Sequence, residues 1–263
     1  MVLITSQHLD AMDKRQHTFS DLRFFLLIIG NSRSGSTALG SVIAQHPNAM
    51  IAQESPASSN YWRDIDREQL LEQIRENALA NEMAGRPWQG YQYSVPVVRE
   101  QNRQILVAGD KIWNPATLLL HGDIGLIGRL EQLLGVPILI LESLRHPLDC
   151  IAAMHKRSSA SLEDRVRWYF MHLEATAAIR SRMTSDNYRC VYHEHLIESP
   201  DIELTRLFRF LNLPDTPEPI QKAKDILFKT PERKRGAVEW PASVLRDVED
   251  RMSRLDSMYP YLN

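Results

Sequence analysis

Short apolar runs alternate with helical patterns along most of this chain. Five runs have the length and composition of buried strands, the last more weakly than the others, at 24–29, 49–53, 105–108, 136–141 and 188–192. Helical patterns lie between and after them, at 38–46, 67–84, 148–156, 162–183, 202–211 and 247–255. Strands that alternate with helices predict an α/β fold in which a parallel sheet is covered by helices on both faces.

The domain organisation is predicted to be simple. The chain has 263 residues, of which 43% are hydrophobic, enough to build one large core. It contains no repeat and no Gly/Ser-rich linker, and the part after about residue 201 is mostly helical. We therefore expect an N-terminal arm over 1–22 and a single domain over 23–263 with a helical C-terminal extension.

Charge and composition exclude several classes of function. The formal net charge is −2, from 31 Lys plus Arg against 33 Asp plus Glu, so we expect no nucleic-acid partner. The two cysteines, Cys150 and Cys190, are too few for a disulfide framework, and no metal-ligand motif is present. Residues 1–21 lack the apolar stretch of a secretory signal, and 24–29 is far shorter than the roughly 20 residues of a membrane-spanning helix. These features predict a cytoplasmic protein without a transmembrane segment.

The segment from Gly30 to Thr37 follows the first predicted strand and opens a helix. Such a P-loop-like junction directs backbone N–H groups and a helix N-terminus at one point, which suits a phosphate. The spacing of Gly30 and Gly35 matches the first half of the GxxxxGK motif of nucleoside triphosphatases, but Ser36 stands where the lysine belongs. Arg33 could supply the cation instead. The alternative is an ordinary turn in which Gly35 relieves crowding and Ser36 or Thr37 caps the helix.

A second candidate anion site follows the fourth predicted strand. Arg145 is placed there beside a helix start, since Pro147 suits a first helical turn and so does Asp149. Ligands of open parallel sheets bind along the carboxyl edge of the strands. Alternatively, Arg145 forms a surface ion pair.

The third cluster is the densest cationic stretch of the chain, Glu232-Arg233-Lys234-Arg235-Gly236. A second phosphate on the same nucleotide would explain it. A solvated basic turn is the alternative, because short charge runs usually are that.

Together these segments resemble the sulfotransferases that use 3′-phosphoadenosine-5′-phosphosulfate (PAPS), over about 24–240. The family's 5′-phosphosulfate loop, in a form closer to bacterial and carbohydrate-type members, is similar to Arg33, Ser34, Gly35, Ser36 and Thr37. Arg145 and Pro147 match the start of the 3′-phosphate motif, although Ala153 replaces its serine.

Two later segments extend the resemblance. Tyr192-His193-Glu194 resembles the family's Tyr-Glu segment with a His between the two residues, and implies Tyr192 as a donor-binding residue. Lys234, Arg235 and Gly236 resemble the loop that closes over the 3′-phosphate.

The resemblance implies in-line transfer of a sulfuryl group from PAPS, releasing 3′,5′-adenosine bisphosphate (PAP). Glu54 follows the second predicted strand and is our candidate base, as in some bacterial and carbohydrate sulfotransferases. Lys111 looks like part of a Gly-Asp-Lys segment and could contact the sulfuryl oxygens, and Arg33 could stabilise the leaving oxygen. Alternatively, Glu54 caps a turn or pairs with an Arg, and Lys111 pairs with a carboxylate. Four histidines are weaker base candidates, with His193 first: His121, His155, His193 and His195.

The acceptor pocket is expected within 55–103. Its aromatic residues are compatible with a sugar, a phenol or a lipid alcohol, and they could equally form core or a dimer contact: Tyr61, Trp62, Trp88, Tyr91 and Tyr93. We expect a small-molecule, lipid or carbohydrate acceptor, bearing a hydroxyl or an amine, and a possible homodimer. Two alternatives stay open, a P-loop phosphotransferase and a non-catalytic nucleotide-binding relative.

Overall fold

Five parallel strands form the central sheet. The computed structural model describes residues 19–85, 87–88, 91–93 and 104–262. In chain order the strands are β1 (Phe24–Gly30), β2 (Ala49–Gln53), β3 (Pro87–Trp88), β4 (Tyr91–Gln92), β5 (Val107–Lys111), β6 (Ile138–Leu144) and β7 (Tyr188–Tyr192). The large sheet has the order β2-β5-β1-β6-β7, and β3 and β4 form a small antiparallel pair. The predicted α/β class and parallel sheet are confirmed.

Eleven α-helices lie in the described part of the chain. They are α1 (Ser36–Ile43), α2 (Pro56–Ser59), α3 (Arg67–Met83), α4 (Asn114–Gly122), α5 (Gly125–Leu134), α6 (Pro147–His155), α7 (Leu162–Arg180), α8 (His193–Glu198), α9 (Pro200–Phe210), α10 (Pro217–Ile226) and α11 (Ala242–Met252). Single 3₁₀ stretches occur at Phe19–Asp21, Arg235–Ala237 and Asp256–Tyr261. The final helix, predicted at 247–255, is observed at Ala242–Met252. The chain after β7 is helical as expected.

Strand β1 is the central strand of the sheet, and its side chains alternate between two apolar layers. Phe25, Leu27 and Ile29 point into one core, which α3, α4 and α5 cover. Leu26 and Ile28 point into the other, which α1, α9 and α10 cover. Burial on both faces explains why this strand reads as an uninterrupted apolar run.

The third predicted strand was placed too early, at 105–108 instead of 107–111. The prediction stopped where the apolar run gives way to Gly109 and Asp110. Gly109 can continue the strand because it has no side chain. An added Cβ there would lie 2.4 Å from the carbonyl oxygen of Leu26 on β1. The absent side chain permits this close approach of the two backbones.

Strand β6 likewise runs beyond its predicted end at residue 141. It includes Glu142, whose carboxylate is buried yet accepts hydrogen bonds from Thr176 Oγ1 and Tyr188 Oη. Since buried polar groups are tolerated when hydrogen-bonded, the sheet accommodates this carboxylate. Apolar patterning alone does not detect such a compensated position.

The N-terminal arm falls mostly outside the described residues, which begin at Phe19. Leu22, at its end, is buried in the core beside β1, and its N–H donates to the carbonyl of Phe19. Among the described residues, no helix has the length and apolarity that crossing a bilayer requires.

Candidate active site

The carboxyl ends of the five strands meet at one edge of the sheet, where a cavity of about 420 Å³ opens. Most of the segments that line it follow a strand, and the others are the long helix α7 and the segment after α10. The lining residues are Gly30, Asn31, Ser32, Arg33, Gly35, Ser36, Thr37, Ala38, Glu54, Tyr93, Lys111, Trp113, Asn114, Pro115, Arg145, Trp168, His193, Phe228 and Glu232. Of the predicted site residues, the cavity thus brings together Glu54, Lys111 and Arg145. It also includes the whole phosphate loop, Gly30 to Thr37, except Ser34.

The loop after β1 is a tight turn that depends on its two glycines. Gly30 and Gly35 have φ values of 153° and 92°, and a Cβ on Gly30 would lie 2.7 Å from the carbonyl oxygen of Ser143. The Ser143 hydroxyl donates to the carbonyl of Ser34 at 3.0 Å, which fastens the loop to β6. The turn is therefore built against a rigid neighbouring strand.

Helix α1 begins directly at this loop without a side-chain cap. Its N-cap residue is Gly35, and neither Ser36 nor Thr37 closes the helix start as the ordinary-turn interpretation requires. The first N–H groups of a helix have no partner within the helix and carry its positive end. The junction consequently has the properties of an anion site.

Arg145 links this loop to the cationic stretch 232–236, which is called the basic turn below. It is 8% exposed, and its Nη1 donates to the carbonyl of Arg33 at 3.1 Å, while Nη2 donates to the carbonyl of Glu232. The guanidinium therefore forms hydrogen bonds to two loop backbones, unlike the exposed surface ion pair that was the alternative.

Glu54 and Lys111 form an ion pair on the cavity wall. Lys111 Nζ donates to Glu54 Oε1 at 2.5 Å, and the backbone N–H of Glu54 donates to the carbonyl of Lys111 at 2.8 Å. Glu54 has φ 49° and Arg33 has φ 77°, both in the left-handed region. Non-glycine residues adopt this conformation at a cost, and such residues cluster at functional sites.

Asp110 lies behind this pair and is fully buried. It accepts hydrogen bonds from the backbone N–H of Ser55 at 3.1 Å and from the Ser55 hydroxyl at 2.5 Å. Burial raises the pKa of Asp110 to about 6, although the hydrogen bonds from Ser55 and Ser58 and the charge of Lys111 act in the opposite direction. The carboxyl thereby anchors the residue that follows Glu54.

His193 is the histidine that lines the cavity. Its Nδ1 would lie 2.3 Å from a Cβ on Gly35, so the ring packs directly under the phosphate loop. Burial, with a further contribution from Arg145, lowers the pKa of His193 to about 4. The imidazole is thus neutral at neutral pH. Tyr192 points elsewhere: its hydroxyl donates to the carbonyl of Ser257 at 3.2 Å, and it is not among the lining residues.

The basic turn reaches the cavity through Glu232. Lys234 pairs with the carboxylate of Glu232, and the backbone N–H of Arg235 donates to Asp149 Oδ1 at 2.7 Å. Lys234, Arg235 and Gly236 are not lining residues. The two cations therefore lie beside carboxylates next to the cavity.

Aromatic side chains are among the residues that line the cavity. Trp113, Trp168, Phe228 and Tyr93 line it, and Tyr61 stacks on Trp113 with ring centroids 6.0 Å apart. Trp62 instead packs in the core. The predicted acceptor residues 94–103 and the side chains of Trp88 and Tyr91 lie outside the described residues.

Sequence reasoning missed several of the lining residues, and three of them are Trp168, Phe228 and Asn114. Trp168 lies inside the long helix α7, and Phe228 and Asn114 lie in segments with no recognised motif. Asn114 had a usable signal, because it follows Lys111 closely and opens a helix; its Nδ2 donates to the Ser32 hydroxyl at 3.0 Å.

Comparison with protein-family models identifies one family for this chain. A protein-family model described as the sulfotransferase family matches residues 26–217. The sulfotransferase domain from the Synechococcus PCC 7002 olefin synthase superimposes with a TM-score of 0.51 at 16% identity, covering 91% of this chain and 97% of that chain. At this identity the similarity supports the fold alone.

Two further solved structures have lower TM-scores. The sulfotransferase from Alicyclobacillus acidocaldarius has a TM-score of 0.47 at 18% identity, with 90% and 95% of the two chains covered. Mouse sulfotransferase SULT7A1, complexed with PAP, has a TM-score of 0.48 at 13% identity, with 94% and 86% covered. No curated protein matches the sequence.

Proposed function

This chain belongs to the sulfotransferase family, and on that premise we propose that it moves a sulfuryl group from PAPS to a hydroxyl or amine. The acceptor is a small molecule, a lipid or a carbohydrate. One observation carries the proposal: the uncapped start of α1 and the Glu54–Lys111 pair face the same cavity. The first suits an anionic donor, and the second suits removal of a proton from an acceptor.

The donor end of the cavity fits a nucleotide that carries phosphate groups. The start of α1 supplies N–H groups, and Arg33 and Arg145, which line the same cavity, supply positive charge. One buried polar atom of the cavity lining, Asn31 Oδ1, has no hydrogen-bond partner among the described residues. A ligand at this loop would give this atom a partner, and buried polar atoms rarely lack one.

The 3′-phosphate is assigned to Arg145, with the loop of Lys234, Arg235 and Gly236 closing over it. Both cations of that loop lie beside carboxylates, Glu232 and Asp149, so they lie close to the donor site without lining the cavity. Ala153 cannot donate the hydrogen bond that a serine would, which predicts weaker donor affinity than the family's usual motif gives.

The transfer step uses Glu54 as base. The acceptor oxygen or nitrogen attacks sulfur while the bond from sulfur to the phosphate oxygen breaks, and the acceptor proton passes to the Glu54 carboxylate. The leaving PAP carries the electron pair of the broken bond. Lys111 and Arg33 stabilise the charge on the transferring group and on the leaving oxygen, because fixed cations lower the energy of developing charge in a site shielded from water.

The aromatic residues that line the cavity would hold the acceptor. Trp113, Trp168 and Phe228 offer flat apolar surfaces, which suit a phenol, a sugar face or a lipid alcohol alike. A homodimer and a cytoplasmic location stay predictions from the sequence.

Titration of the purified protein with PAP tests the donor assignment. We expect micromolar or tighter binding that is lost in Arg145→Ala, and no binding of ATP with Mg²⁺. A preference for ATP with Mg²⁺ would support the phosphotransferase alternative and overturn the proposal.

Turnover separates an enzyme from a non-catalytic relative. In a screen of hydroxyl and amine acceptors with PAPS, we expect Glu54→Gln to lower kcat by about 10²-fold or more while the Kd for PAP stays the same. The matched control is Glu68→Gln, at an exposed position in the first turn of α3. Full activity in Glu54→Gln would remove the glutamate base from the mechanism.

A further inference from the structure

The 3₁₀ stretch Asp256–Tyr261, called the C-terminal turn below, packs against the segment that carries Arg145. The hydroxyl of Tyr261 donates to Glu194 Oε2 at 2.7 Å, and Glu194 Oε1 accepts the backbone N–H of His146 at 3.0 Å. Glu194 therefore connects the C-terminal turn to the residue next to Arg145 through two hydrogen bonds, both to a carboxylate.

His146, the residue after Arg145, lies at the start of the helix that follows β6. It is the N-cap of α6, and its Nδ1 accepts the N–H of Leu148 at 3.2 Å. The carbonyl of Arg145 itself accepts the Tyr169 hydroxyl at 3.3 Å. The backbone on both sides of this peptide unit is thus fixed, and a buried arginine has little freedom to compensate for a shifted backbone.

The position of Tyr261 does not depend on its hydroxyl alone. Its ring packs edge-on against His146 and Tyr192, with centroids 5.4 Å and 5.9 Å apart. Nearby, Met258 is fully buried, and the Tyr192 hydroxyl donates to the carbonyl of Ser257. Removal of one hydroxyl should therefore leave the turn folded.

The protonation states suit this arrangement at neutral pH. Burial and the charge of Glu194 raise the pKa of Tyr261, so its hydroxyl stays a donor. Burial, followed by the charge of Arg235, lowers the pKa of His146 to about 4, so its ring accepts a hydrogen bond as a neutral imidazole.

We propose that Tyr261 and Glu194 are positioning residues that hold the Arg145–His146 turn for the donor's 3′-phosphate. This inference rests on the proposed function. The family match ends at residue 217, so Tyr261 belongs to a part of the chain that the family pattern does not describe. The C-terminal turn thereby becomes part of donor binding without touching the donor.

Titration with PAP tests the role of Tyr261. We expect Tyr261→Phe to weaken PAP binding about three- to tenfold, because it removes one hydrogen bond to a charged group. Tyr259→Phe is the matched control, since Tyr259 lies in the same turn and is 57% exposed; its Kd should equal that of the wild type. Unchanged affinity in Tyr261→Phe overturns the inference.

A double-mutant cycle distinguishes positioning of Arg145 from a general structural effect. In an Arg145→Lys background, which keeps the charge but loses the rigid guanidinium, Tyr261→Phe should weaken PAP binding by less than twofold. Equal losses in both backgrounds show that Tyr261 acts elsewhere and overturn the inference. If the wild type binds no PAP, the donor assignment fails first and this inference fails with it.

Discussion

Replacement of Gly35 by alanine tests how the phosphate loop and His193 fit together. The substitution adds one methyl group at a residue with φ 92°, where a Cβ would lie 2.3 Å from His193 Nδ1. Two separate penalties follow. One is backbone strain, and the other is a clash with a buried ring.

Their magnitudes can be estimated separately. An alanine in the left-handed region costs about 1–2 kcal/mol. Overpacking against a buried side chain costs about 1–3 kcal/mol. Gly35→Ala should therefore lower the free energy of unfolding by about 2–5 kcal/mol, the sum of these two ranges. In a His193→Ala background the clash is absent, so the same substitution should cost only about 1–2 kcal/mol.

Urea unfolding of four proteins measures this difference: wild type, each single variant and the double variant, all at pH 7. The expected coupling energy is about 1–3 kcal/mol, equal to the relieved clash. Additivity within about 0.5 kcal/mol would refute the argument, because it would mean that His193 does not lie under the loop. Binding of PAP by the double variant, but not by Gly35→Ala, would extend the result to function.

Two further predictions concern stability. Burial lowers the pKa of His172 in the folded state to about 4, so the unfolded chain binds more protons than the folded one between pH 4 and 6.5, and the free energy of unfolding falls as the pH falls through that window. In urea unfolding, the loss of stability from pH 7 to pH 5 should be smaller in His172→Phe than in the wild type. In His121→Gln, at an exposed position, the loss should equal that of the wild type. Gly128→Ala, in the middle of α5 with open space around the new Cβ, should stabilise the protein by about 0.5–1 kcal/mol. Gly109→Ala should destabilise it strongly, because the new Cβ would meet a backbone oxygen. Melting temperatures that shift in the same direction in both variants would contradict this.

Apolar patterning was sufficient to predict the parallel sheet, because every strand of a doubly covered sheet is buried on both faces. It failed where polar residues continue a strand. Asp110 in β5 and Glu142 in β6 are buried carboxylates, and their partners, Ser55 for one and Tyr188 for the other, are distant in sequence. Such compensation depends on tertiary contacts, so no local pattern can indicate it.

The lining of the cavity was predictable where a residue directly follows a strand. The phosphate loop, Arg145 and Glu54 each follow a strand, and the carboxyl ends of parallel strands meet at one edge. Trp168 was missed because its helical spacing is that of a core residue. The C-terminal turn around Tyr261 was missed because its role depends on a contact with Glu194, 67 residues earlier in the chain.

Several polar residues of this protein depart from local rules, and their surroundings differ. Arg33 and Glu54 adopt left-handed backbone conformations, and both line the cavity. Glu142 also breaks a rule, as a carboxylate inside a strand, but Thr176, Tyr188 and Arg180 surround it away from the cavity lining. Glu142 therefore belongs to a structural network. A left-handed backbone alone does not mark the site, because four further residues share it without lining the cavity: Tyr61, Trp62, Asp64 and Asn212. The proposed roles of Arg33 and Glu54 rest instead on their position at the cavity.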